Sequence, residues 1–108
     1  MKDDSVYLRH ILEAIEKIER YTADVSYELF EENDMMVDAV IRELEIIGQA
    51  ARNVTPKFKE QHALIPWNKA VGVRNFLIHE YFGVNRKIIW ETCKTDLINL
   101  KNQLLPIL

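Results

Sequence analysis

Apolar residues along this chain recur at steps of three and four, the spacing of helices that bury one face. Leu8, Ile11, Ile15 and Ile18 form a first stripe, widened by Leu12, and Asp3, Asp4 or Ser5 stands where a cap is needed. A second stripe, Val37, Val40, Leu44, Ile47, Ala51 and Val54, opens at Asn33 or Asp34 and must stop before Pro56. Residues 22 to 33 connect the two, with room for a helical turn near Ser26 to Phe30. Between Thr55 and Pro66 the pattern is lost, and at most a short helix started by Pro56 fits there. A third long helix is predicted from Trp67 to Phe82, ended by Gly83. Asn85 can cap a fourth, in which Trp90, Cys93, Leu97, Leu100 and Leu104 step along one face up to Pro106.

Four amphipathic helices with short connections predict an all-α, up-and-down four-helix bundle with one or two additional short helices. Residues 1–108 are expected to form a single domain, because 108 residues suffice for one core and no linker or repeat interrupts them. Gly48 and Gly72 lie inside predicted helices, where close backbone approach at a crossing would offset their poor propensity.

The chain has 48% hydrophobic and 29% charged residues, ordinary globular usage, with three glycines and three prolines, too few for a strand-and-turn fold. No apolar run approaches the ~20 residues of a membrane span, and the N-terminus is acidic where a signal peptide is basic. A cytoplasmic protein is expected. Cys93 is the one cysteine, which excludes an internal disulfide and suggests a structural thiol. The net charge of −3 conceals a split: residues 1–50 carry −8 and residues 51–108 carry +5. Such a split fits either a phosphate-attracting face or complementary patches in an oligomer.

RNFLIHEYFG, residues 74–83, sets Arg74, Asn75, His79 and Tyr81 among core-like Phe and Leu. On a regular helix Asn75 and His79 share a face, whereas Arg74 and His79 diverge by about 140°. The two converge if the Arg side chain curls around, if the helix distorts, or if two copies meet across a dimer. In the alternative these are surface or interface residues, with Asn75 in a helix hydrogen bond. His10, His62, His79 and Cys93 share no zinc-site spacing, no acidic pair beside His79 would hold magnesium, and no glycine-rich loop would hold a nucleotide, so no metal or cofactor is expected. His10 and His62 are expected in solvent, and Trp67 and Trp90 as packing anchors.

Three stretches, AVIRELEIIGQAARNV, IPWNKAVGVRNFLIHEYFGVN and IIWETCKTDLINL, resemble the HepT-like branch of the HEPN family. These are small all-helical proteins encoded beside minimal nucleotidyltransferases as toxin and antitoxin. Their signature of Arg, a polar residue and His-x-Tyr stands complete as Arg74, Asn75, His79 and Tyr81; Gln49 departs from the Glu common in this branch. The resemblance implies a metal-independent endoribonuclease with a composite active site in a homodimer. It assigns RNA cleavage to Arg74, Asn75 and His79, and makes Tyr81 the residue to which a partner nucleotidyltransferase antitoxin attaches AMP. Another class remains open: a noncatalytic helical module that docks on the transferase and presents its substrate.

Overall fold

A computed structural model describes residues 3–72 and 85–108. The first long helix, α1 (Asp4–Thr22), is capped by Asp3, whose carboxylate accepts the Ser5 N–H at 3.0 Å. It buries Leu8, Ile11, Ala14, Ile15 and Ile18, and leaves Leu12 half-buried at the stripe's edge. The turn that follows passes through Asp24 at φ 57°, the left-handed region that a short polar side chain tolerates better than most. Ser26 then caps the short helix α2 (Tyr27–Glu32), which drives Phe30 fully into the core.

Asn33 ends α2 and starts α3 (Asp34–Asn53), accepting the Met36 N–H at 3.0 Å. The whole predicted second stripe from Val37 to Val54 is buried. Burial of each such side chain is worth about 1.5–3 kcal/mol, against about 1 kcal/mol for a cap, so packing holds these helices and the caps set their ends. Helices α1 and α3 run antiparallel, because Asp4 at the start of α1 meets Thr55 just past the end of α3. Thr55 also caps α4 (Pro56–Gln61), with Pro56 in the first turn, where its missing N–H does no harm.

A further helix, α5, begins at Trp67 and is described over 67–72. Gly72 does not mark a close helix crossing: a Cβ placed on it would meet nothing within 4 Å, and its φ is not positive. Gly48 is buried within α3.

After Asn85, whose side chain accepts the N–H groups of Lys87 and Ile88, α6 (Arg86–Glu91) runs through a wide π turn (Thr92–Asp96) into α7 (Leu97–Leu104). The π turn revises the predicted fourth stripe. One extra residue in the turn rotates the preceding segment, so Ile89 rather than Trp90 is fully buried, while Cys93, Leu97, Leu100 and Leu104 keep their places. Trp90 is half-buried against Phe30 at a centroid distance of 5.1 Å. A last 3₁₀ turn, Leu105–Ile107, contains Pro106.

The α6–α7 rod starts beside α3, where Arg86 donates to Asp34 at 2.8 Å and to the Glu31 carbonyl, and it descends α1 in the opposite sense. Lys94 reaches Thr22 at 3.2 Å, and Lys101 reaches Glu19 at 2.8 Å. All the described helices feed one hydrophobic core, in an all-α, HEPN-like arrangement.

Candidate functional site

The four residues singled out in the sequence, Arg74, Asn75, His79 and Tyr81, lie outside the described residues. What is described is the frame on either side. On the N-terminal side, Trp67 is buried, and its indole N–H donates to the His62 carbonyl at 3.1 Å, pinning the start of α5 to the end of α4. His62 is half-buried rather than freely solvated: its ring lies 4.4 Å from that of Phe58. His10 is exposed, as expected. On the C-terminal side, the Asn85 cap and the Arg86 contacts fix the chain against the junction of α2 and α3.

Between α3, α5 and α7 opens a groove of about 490 Å³ whose wall includes Leu44, Ile47, Ala70, Leu97 and Leu100. Its rim carries Lys69 and Asp96, 3.6 Å apart. Ala70 on α5 and Ile47 on α3 thus line one cavity.

Part of the charge split is met within the chain. Arg86 pairs with Asp34 and Lys101 with Glu19, each joining the basic second half to the acidic first half. Lys87 lies over the Tyr27 ring at 4.4 Å and Lys94 over the Trp90 ring at 4.6 Å. The hydrogen bond to Glu19 raises the Lys101 pKa. Cys93 is buried under α1, and desolvation pushes its thiol up to about 12, so it is a packing group and not a nucleophile. Gln49 is exposed on α3. Among the described residues, no group of three or more His, Cys, Asp or Glu could hold a metal ion. No helix among them is long and apolar enough to cross a membrane.

Two buried polar residues were missed by reading the sequence: Thr22, whose hydroxyl donates to the Ile18 carbonyl at 2.9 Å, and Glu43. Glu43 is only 6% exposed. The signal was present, because Val40, Glu43, Ile47, Ala50 and Val54 step by three and four along α3, a line parallel to the predicted stripe and buried throughout.

An all-α chain of this pattern, with a helical frame around an Arg, Asn, His and Tyr signature, belongs to a defined class. The chain is a member of the Ribonuclease HepT-like family, whose model matches residues 11–107. It is 42% identical over 108 residues to a protein of Caldanaerobacter subterraneus named "Putative RNase TTE0752", covering 100% of this chain and 96% of that protein. It is 44% identical over 97 residues to the "Probable ribonuclease HepT" of Thermococcus cleftensis, covering 90% of this chain and 88% of that protein. It is also 44% identical over 107 residues to the Methanocaldococcus jannaschii protein "Gamma-glutamylcyclotransferase and putative RNase MJ0434". In that case 99% of this chain is covered, but the chain spans only 48% of the relative's length. No solved structure matches the chain.

Proposed function

We propose that this protein is an endoribonuclease that cleaves RNA without a metal ion, through attack of a ribose 2′-hydroxyl on the adjacent phosphate. The observation that carries the reading is membership of the HepT-like ribonuclease family together with a complete Arg74, Asn75, His79 and Tyr81 signature inside the matched residues.

The chemistry follows from the residue types. An imidazole with an unperturbed pKa near 6.5 takes the 2′-hydroxyl proton or returns one to the leaving 5′-oxygen at neutral pH, which assigns proton transfer to His79. The two His79 copies of a homodimer divide these tasks. Arg74 stays cationic and donates a fork of hydrogen bonds to phosphate oxygens as their charge grows in the transition state. Asn75, one helical turn from His79, orients the imidazole or the phosphate. The products are a 2′,3′-cyclic phosphate and a 5′-hydroxyl, and DNA is inert because it lacks the attacking group.

Within this reading the protein is the toxin of a pair. A partner nucleotidyltransferase attaches AMP to Tyr81, and the added phosphodiester charge and nucleotide bulk keep RNA away from His79. Incubation of the purified chain with RNA in EDTA tests the proposal. Cleavage by the native chain that is lost in a folded His79→Ala variant is the expected result. Equal cleavage by both would refute the assignment of His79, and mass spectrometry of the chain co-expressed with its transferase would reveal whether Tyr81 carries AMP.

A further inference from the structure

Leu64 is 92% exposed, the barest large apolar side chain among the described residues. Its backbone is nevertheless fixed. The Gln103 side-chain amide donates to the Leu64 carbonyl at 3.1 Å, the Ile65 N–H donates to the His62 carbonyl at 3.1 Å, and Ile65 and Trp67 are buried. A single leucine in water needs no explanation, but this one stands where two hollows meet. One is the groove of about 490 Å³ between α3, α5 and α7; the other is a hollow of about 290 Å³ whose walls include His62, Ile65 and Ile107, and Leu64 and Gln103 line both. Either is larger than a leucine side chain.

The chemistry of the groove selects its occupant. RNA fits poorly: among the lining residues no aromatic ring offers a stacking face, and the one cation, Lys69, already has Asp96 at 3.6 Å. A rim of one cation and one anion, with side chains 66% and 39% exposed, over aliphatic walls is complementary to itself. About a twofold axis each contact occurs twice with the roles exchanged, so Lys69 of one copy can face Asp96 of the other on both sides. A projecting leucine beside an aliphatic hollow repeats the same relation in shape.

We propose that this face is where a second copy of the chain docks, with Leu64 of each protomer seated in the α5–α7 groove of the other and Lys69 and Asp96 paired across the axis. The inference rests on the homodimer of the proposed function and gives that homodimer a face.

Sedimentation equilibrium of the full chain without RNA tests it. The native chain weighs as a dimer, and Leu64→Glu weakens association by about 30-fold or more, the loss expected of a central apolar anchor. Because Leu64 is bare in the single chain, that variant keeps the helical circular dichroism of the native protein. The charge pair supplies a second measurement that a folding defect cannot imitate. Lys69→Asp leaves the rim wholly acidic and Asp96→Lys leaves it wholly basic, so each variant alone associates less than the native chain, and mixing the two restores association. A native chain that is monomeric throughout the concentration range, an unchanged dimer in Leu64→Glu, or charge variants that do not recover on mixing would overturn the proposal. Variants that keep the native mass and instead weaken RNA binding would also overturn it, by making the groove a nucleic-acid site. Association is read without RNA, so a chain that dimerises through this face but cleaves none removes the ribonuclease reading and leaves the face standing.

Discussion

Asp4, in the first turn of α1, accepts two hydrogen bonds from Thr55: the backbone N–H at 2.9 Å and the hydroxyl at 2.7 Å. Residues 51 positions apart are thereby joined, and the same Thr55 hydroxyl oxygen accepts the Phe58 N–H to start α4. One carboxylate therefore closes the α1–α3 hairpin and orients the chain that leads to the candidate site. Asp4→Ala should destabilise the protein by about 1–2 kcal/mol, the worth of charge-assisted hydrogen bonds at a partly exposed position. Urea unfolding checks this as a lower midpoint with an unchanged slope.

Phe30 joins α2 to the rod that follows the signature, through its contact with Trp90. It is fully buried, so Phe30→Ala should cost about 3–5 kcal/mol through lost transfer and a residual cavity. Thermal unfolding measures the loss. A red shift in tryptophan fluorescence below the transition would show that Trp90 has lost its packing partner.

Gly72 stands in a helical conformation with open space where a Cβ would go. Gly72→Ala should therefore stabilise the protein by about 0.5–1 kcal/mol, because alanine loses less backbone freedom on folding and meets no obstacle. A rise in the urea midpoint checks it.

Cys93 should resist alkylation by iodoacetamide at pH 8 in the native protein and react once the chain is unfolded, since burial suppresses both access and the thiolate. The linkage has a definite sign. With the thiol pKa raised from 9.0 to about 12 in the fold, its contribution is fully present below about pH 9 and is lost as pH rises towards about 12, where the unfolded chain releases the proton first. Comparing the pH dependence of stability in native and Cys93→Ala proteins over that window checks it.

Much of the fold was legible because the information is local. Leu8, Ile11, Ile15 and Ile18 announce a buried face by spacing alone, and Asn33, Thr55 and Asn85 announce helix starts by their side-chain acceptors. The π turn at Thr92–Asp96 was not legible, because a one-residue insertion in helical pitch carries no marker in composition. Glu43 lay on a readable apolar line, yet a glutamate between apolar residues is ordinarily counted as surface; its burial depends on which neighbours cover that line. The candidate site is the converse case. Arg74, Asn75, His79 and Tyr81 stand out through the resemblance of the surrounding stretches to a known family, whereas the convergence proposed for them would depend on tertiary and subunit geometry that spacing does not encode.

The central claim is that cleavage uses the 2′-hydroxyl of the RNA itself, with proton transfer by His79. It is tested most directly with an oligonucleotide the protein cuts at one linkage, compared with the same strand carrying a single 2′-deoxyribose on the 5′ side of that linkage, both in EDTA. The account predicts that the substituted linkage survives, while the all-ribose strand yields a fragment ending in a 2′,3′-cyclic phosphate and another beginning with a 5′-hydroxyl. Cleavage of the deoxy-substituted linkage at an undiminished rate, or a 5′-phosphate on the product, would contradict it.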